Sequence, residues 1–345
     1  MLKKKDKVAI YMEGHVDSDY GKMGMGVIRY LPNQIVGVID SSHQGKQMSA
    51  FMKTERNIPI LGTFEEALNA GAEVLILGIA PSGGKIPKTW IPIIEAALKS
   101  GLSIVNGLHD LLTPRFGNQI TQPEKQWIWD VRIPHFAPPI ATAQASRLNN
   151  KRVLFIGTDM AVGKMTAGLE LYSWIKEQQI NVGFVATGQI GITITGSGIP
   201  LDAFKVDHAC GAVETAVLEQ AEKEMILIEG QGSLLHPGST ATLPLMRGSC
   251  PTHLVLCHRA GKDTLRSPEH IKIPDLNEFI ALNEALTSVC GTFPKAKVVG
   301  ICVNTSMLND NEAAAALTTI EKTTNIPTTD VVRYGVEKIG NALLD

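Results

Sequence analysis

The sequence lacks a long apolar run, closely paired cysteines and any marked net charge, and each absence removes a class of function. No stretch approaches the roughly 20 apolar residues of a membrane span, so no membrane partner is expected. The Lys-rich start, Lys3 to Lys7, precedes an apolar run too short for a signal peptide. Cys210, Cys250, Cys257, Cys290 and Cys302 show no zinc-site spacing. Nothing asks for disulfides, which suits a reducing compartment, and a cytoplasmic protein is expected. A formal charge of -2 and 5% aromatic residues give no basic, aromatic-laced surface for nucleic acid. What is present is 345 residues, 44% of them hydrophobic and 19% charged, enough for two globular domains with their own cores.

The chain is organised around Val153 to Thr166. Val153-Leu-Phe-Ile156 suits a buried strand, Gly157 opens a turn, and Gly163-Lys164 precedes a helix-like stretch, Ala167 to Lys176. Strand, glycine loop, lysine and helix in this order form a phosphate loop. The turn residues Gly157, Thr158, Asp159, Met160, Ala161, Val162 and Gly163, with Lys164, Met165 and Thr166, are therefore the expected phosphate-binding residues. Their backbone N–H groups and the helix N-terminus can face an anion, while Lys164 supplies a positive charge.

Two departures from the common loop matter. Five residues separate Gly157 from Gly163 instead of four, a form shared with dethiobiotin synthetase-like loops that also begin Gly-Thr-Asp. Met165 stands where nucleotide hydrolases place a magnesium-binding hydroxyl, and a thioether is a poor ligand for a hard cation. Thr166 is rotated by roughly 100° on a helix and is not an obvious replacement. No metal ligand set is assigned.

In the first half, Val8–Tyr11, Ile35–Asp40, Glu73–Gly78 and Leu102–Val105 read as strands separated by helix-like stretches, Gly24–Tyr30 and Trp90–Lys99. That alternation predicts a doubly wound parallel sheet with ligands outside the carboxyl ends of its strands. There lie Ser82-Gly83-Gly84-Lys85, His109, and the pair Asp130 and Arg132, candidates for holding the charged groups of a substrate such as an amino acid. Gly21-Lys-Met-Gly24 repeats the Gly-Lys-Met string of Gly163 to Met165, so Lys22 is a further candidate phosphate contact, against a chance match. Ala137 to Thr142 and Asn149 to Arg152 read as linker, dividing the chain into domains 1–140 and 141–345.

In the second half Asn181–Thr187 is a strand, followed by Gln189 and a glycine-rich run through Gly198 that reads as a flexible loop over the phosphate site. Asp207, His208 and Glu214 are polar candidates leading into a helix, with a capped helix start as the alternative. Met225-Ile-Leu-Ile228 ends at Glu229, in the manner of a Walker B strand. Gln231, Ser233 and His236 follow on a glycine-rich loop. His236, Glu229 and Asp207 are the candidate bases, His236 because a free imidazole titrates near neutrality. His253–Cys257 and Lys297–Val303 complete the apolar strands, with His258 and Arg259 at a strand end, open to a phosphate, to the base of a nucleotide or to solvent. Asn311 onward reads as alternating helix and turn.

Gly157-Thr-Asp-Met-Ala-Val-Gly-Lys-Met-Thr166, Glu229-Gly-Gln-Gly-Ser-Leu-Leu-His-Pro237, Ala80-Pro-Ser-Gly-Gly84 and Gly107-Leu-His109 together resemble the P-loop D-glutamate N-acetyltransferase family over nearly the whole chain. The resemblance implies an α/β protein with a Rossmann-like N-terminal sheet and a dethiobiotin-synthetase-like P-loop C-terminal sheet. It implies acetyl transfer from acetyl-CoA to D-glutamate in D-amino acid catabolism, with the loop holding coenzyme A phosphates. On it, Ser82 to Lys85, His109, Asp130, Arg132, Gln189, Gln231 and Ser233 are the substrate contacts. A homo-oligomer is expected of such two-domain enzymes. The alternatives are a magnesium-ATP ligase or kinase of the dethiobiotin-synthetase type, with Glu229 or Asp159 on the metal, and a metabolite-binding regulator without turnover.

Overall fold

The computed structural model describes residues 2–345. It divides into two compact units, one of residues 2–133 with Gln189–Pro200, the other of Pro134–Gly188 with Leu201–Asp345. The division therefore differs from a single cut at 140/141: the connector joins the second unit, and a segment from within the P-loop half completes the first.

In the first unit, strands β1 (Val8–Tyr11), β2 (Ile35–Ile39), β3 (Ile60–Leu61), β4 (Val74–Leu77), β5 (Ser103–Asn106) and β6 (Ile128–Asp130) form one parallel sheet in the order β3-β2-β1-β4-β5-β6. This is the Rossmann order. Helices α1 (Lys22–Tyr30), α2 (Phe64–Asn69), α3 (Ile91–Lys99) and α4 (Thr113–Phe116) connect the strands. β1 and β4 are buried throughout, because helices cover both faces, and each fully buried Leu or Ile contributes about 1.5–3 kcal/mol. α1 lies close against the end of β4. The Gly24 N–H donates to the Gly78 carbonyl at 2.7 Å, and a side chain at either glycine would collide with Met12.

In the second unit, β7 (Lys151–Gly157), β8 (Val182–Val185), β9 (Met225–Ile228), β10 (His253–Arg259), β11 (Lys297–Asn304) and β12 (Thr328–Thr329) form a second parallel sheet, ordered β12-β11-β10-β7-β9-β8. Its helices are α5 (Lys164–Glu177), α7 (Val206–Leu218), α8 (Thr242–Ser249), α9 (Leu276–Ser288), α10 (Asp310–Thr324) and α11 (Glu337–Leu344), while α6 (Gln189–Thr195) lies in the first unit against α1. The order reverses at β7, so the loop after β7 opens at the switch point where such sheets bind ligands.

Three expectations change. Gln189 to Gly198, expected as a flexible loop, opens with α6. Asn311 onward, expected to alternate throughout, is the continuous helix α10 as far as Thr324, held by a capping box between Asn309 and Glu312, and alternates only beyond it, through β12, a turn and α11. Asn149 to Arg152, expected as linker, runs into β7, and Arg152 is buried, its guanidinium donating to the carbonyls of Leu148, Asn150, Ser249 and Cys250. Carbonyl acceptors make that buried charge tolerable. All five cysteines are free, with Cys250, Cys257 and Cys302 buried and Cys290 exposed.

The connector is fixed to α7. Glu214 is buried and accepts from the N–H groups of Thr142 and Gln144 at 2.9 and 2.6 Å, and His208 Nδ1 donates to the Pro138 carbonyl at 2.8 Å. Gly211 is the one residue type that lets the Pro139 carbonyl approach so closely. Two polar candidates, His208 and Glu214, are thus braces for the connector.

Candidate functional site

The phosphate loop forms as its glycines require. Gly163 takes φ 107°, with open space where a side chain would be, and Lys164 begins α5. At a helix start, the N–H groups of Lys164, Met165 and Thr166 have no helical carbonyl to donate to, so they are free to meet an anion. Ala167 already donates back to the Gly163 carbonyl at 2.9 Å. Met160 is 41% exposed at the loop tip, whereas Thr158, Asp159 and Val162 are buried.

The loop is braced from β10 and from the segment after it. The Thr158 N–H donates to the Cys257 carbonyl at 3.1 Å, and its hydroxyl meets His258 Nδ1 at 3.0 Å. Burial holds His258 down to about 4, so the ring is neutral at physiological pH. Asp159 accepts from the N–H groups of Met160 at 2.6 Å and Arg266 at 2.8 Å. Its carboxylate is committed to shaping the loop. Arg259 Nη2 donates to the Ala161 carbonyl at 2.7 Å.

Lys164 and Glu229 form the electrostatic centre. Lys164 is buried, and its Nζ donates to the Asp159 carbonyl at 2.8 Å. Burial draws its pKa down to about 8, against the opposing pull of Cys257, Asp159 and Glu229. Glu229 follows β9 and is likewise buried. Burial pushes it up to about 7, opposed by the N–H groups of Thr187 and Gly188, which donate to Oε2 at 2.9 and 3.2 Å, and by Lys164. Strand pairing explains the position: β8 and β9 run parallel, so Thr187, just past β8, meets Glu229, just past β9. Thr187 was not singled out from the sequence, since only strand order reveals it. A carboxyl and an amine that both titrate near neutrality can exchange protons with a ligand at little cost.

The neighbouring candidates are more constrained. His236 Nε2 donates to the Ser267 carbonyl at 2.6 Å, while Nδ1 accepts from the Gly238 N–H at 3.1 Å, so both ring nitrogens hold loop backbone. Ser233 is buried and accepts from the Leu235 N–H at 3.1 Å. Gln231 Nε2 donates to the Thr187 carbonyl. Asp207 is exposed in the first turn of α7 and lines a groove of about 670 Å³ with Ile140, Val206, Leu243, Arg247 and Phe293. No residue of the phosphate loop, and not Glu229, lines that groove.

In the first unit, a second cluster gathers at the carboxyl ends of β4 and β5. The Gly84 carbonyl accepts from the N–H groups of His109 and Asp110 at 2.9 and 3.2 Å, and a side chain at Gly84 would strike the His109 ring. Gly83 and Gly84 both have positive φ, and Gly83 faces open space. Lys85 is exposed beside them, and the Ser82 side chain lies outside what the structure describes. Arg132 Nε donates to the Gly107 carbonyl at 2.8 Å, and Gln189 approaches the same glycine from α6. Asp130 has a different role from Arg132. It is buried, accepting from Asn106 Nδ2 at 2.7 Å and from the Leu112 and Thr113 N–H groups at 2.8 and 2.9 Å, so it braces the start of α4. Lys22 begins α1 as Lys164 begins α5, each in the first helix after the strand at its sheet's switch point.

Among the described residues there is no group of three or more metal-ligating side chains, and no helix long and apolar enough to cross a membrane.

Comparison with known proteins gives a consistent result. Residues 139–340 match the family described as domain of unknown function (DUF1611_C) P-loop domain, and residues 41–134 match the DUF1611_N Rossmann-like domain. Two curated relatives, from Pseudoalteromonas sp and Tritonibacter scottomollicae, are named D-glutamate N-acetyltransferase. The first is 39% identical over 79% of this chain and 82% of its own, the second 35% identical over 93% of both. The crystal structure of a DUF1611 family protein from Anabaena variabilis ATCC 29413 superposes with a TM-score of 0.94 at 42% identity, covering 99% of each chain. By both domain matches and by this likeness over its whole length, the chain belongs to the DUF1611 family.

Proposed function

We propose that the chain is an N-acetyltransferase that carries an acetyl group from acetyl-CoA to the amino group of an acidic amino acid, D-glutamate. The carrying observation is the phosphate loop itself. Its first-turn N–H groups and Lys164 suit a pyrophosphate, yet Met165 withholds the hydroxyl that magnesium-assisted phosphoryl transfer requires. Coenzyme A carries phosphates that must be held and not split. The names of the two curated relatives support the same reading.

On this reading Gly157 to Thr166 hold the phosphates of acetyl-CoA, which supplies an activated acyl carbon. Taken within the first unit by themselves, Arg132, Lys85 and the glycine turn at Gly83-Gly84, with His109 and Gln189, have the chemistry to grip carboxylates. Glu229 is the base. Its Oε2 is fixed by two backbone N–H groups, and its carboxyl, poised at about 7, can take a proton from the substrate ammonium and leave a neutral amine. His236, with both nitrogens engaged, and Asp207, in its separate groove, are weaker fits to that role.

The test is a thiol-release assay with acetyl-CoA and a panel of D- and L-amino acids, run beside phosphate release from magnesium-ATP. Thiol release with D-glutamate alone is expected. Phosphate release without thiol release would overturn the reading in favour of a nucleotide-splitting enzyme.

A further inference from the structure

Arg259 stands at the carboxyl end of β10, which pairs with β7 so that Cys257 lies opposite Gly157. Its guanidinium therefore emerges beside the phosphate loop. Two observations about it go together. Nη2 donates to the carbonyl of Ala161, a non-glycine residue held in the left-handed region at φ 52°. Nε is buried and has no hydrogen-bond partner among the described residues. A guanidinium keeps its charge at any physiological pH, and a buried donor without an acceptor is rare enough to need an explanation. The Ala161 bond commits Nη2 to the loop backbone, while Nε–H of the same guanidinium is left without an acceptor among the described residues.

We propose that Arg259 is a second phosphate-binding cation of this loop, donating Nε–H to the pyrophosphate group that Lys164 and the first-turn amides hold. The assignment rests on the loop's being a phosphate site, and it places on β10 a determinant for acyl donors that carry phosphates. Arg259 binds and positions the donor and takes no part in proton transfer. A lysine offers no such fork of donors, so the role is specific to arginine.

Inorganic pyrophosphate binding, measured by calorimetry on the intact protein, tests this without reference to turnover. Arg259→Ala and Arg259→Lys are expected to weaken it about tenfold or more, the loss of one charge-assisted bond. With acetyl-CoA as donor KM should rise similarly, while kcat/KM with S-acetylpantetheine, which lacks phosphates, should stay within about twofold. Unchanged pyrophosphate affinity would overturn the assignment. So would an equal loss with both donors, or rescue of Arg259→Ala by adding Ala161→Gly, since either would make Arg259 a brace for loop shape only. Pyrophosphate binding that is lost in the variants, in a protein that transfers no acetyl group, would sustain Arg259 and reject the acetyltransferase. Failure of the unaltered protein to bind pyrophosphate would reject the phosphate site and this inference with it.

Discussion

Glu229→Gln should make the protein more stable and less active, and pH should reveal why. The carboxyl rises from its ordinary 4.5 to about 7 because burial penalises the charge. At about 1.36 kcal/mol per pH unit, that difference corresponds to about 3 kcal/mol of cost to the folded state once the group is ionised. Because the folded pKa is raised, the penalty is absent below 4.5, grows as pH climbs from 4.5 to about 7, and is constant above. Glutamine is uncharged and similar in shape, and its amide oxygen can still accept from Thr187 and Gly188. Lys164 loses a favourable neighbour in the variant, but Glu229 is the smallest of the three that support its charge, so burial decides the sign. Denaturant unfolding should therefore show little difference near pH 4 and a gain approaching about 3 kcal/mol at about pH 8. Acetyl transfer should fall by about a hundred- to ten-thousandfold, the usual worth of a positioned base. A variant less stable at about pH 8, or a stability difference independent of pH, would refute the account of Glu229 as a charge held at a cost for function.

Other perturbations follow from the same geometry. Lys164→Ala should raise KM for acetyl-CoA and abolish pyrophosphate binding, and unchanged affinity for both would remove the lysine from the phosphate site. Met165→Ser, on the proposed reading, should leave acetyl transfer within about threefold, measured as kcat/KM, because no metal is used there. Gly230→Ala places a methyl group against the backbone carbonyl of Phe155, which cannot move without disturbing β7, and should cost more than about 2 kcal/mol on unfolding. Glu214→Ala leaves the Thr142 and Gln144 N–H groups without their acceptor and should cost about 1–3 kcal/mol, with the connector exchanging its amide hydrogens faster.

The strands that were legible in the sequence are those buried on both faces, such as Val74–Leu77 and Met225–Ile228, whose unbroken apolar runs have few other uses. The two-residue edge strands β3 and β12 carry too little pattern to see. α6 was hidden by its setting: Gln189-Ile-Gly-Ile-Thr-Ile-Thr195 is rich in β-branched residues and reads as loop or strand, and it is packing against α1 that accompanies its helical form. The phosphate loop was legible because its chemistry is local. Its supports were not, since Arg259, Arg266 and Thr187 reach it or Glu229 through strand order and a distant segment, neither of which is written in any one stretch. His236 illustrates the opposite case. An imidazole beside a glycine loop invites a catalytic reading, and only the positions of Ser267 and Gly238 show both nitrogens already engaged.

The assignment of Gln189–Pro200 to the first unit bears on heredity. The excursion closes on itself, for the Leu201 N–H still reaches the Thr187 carbonyl at 3.2 Å where the chain resumes the second unit. A recombination event between codons 133 and 134 would look, on the linear gene, like a clean transfer of a Rossmann module. It would deliver that module without α6, leaving α1 without that packing partner and Gly107 without Gln189. A cut that looks clean in the linear sequence is therefore not a boundary of the fold.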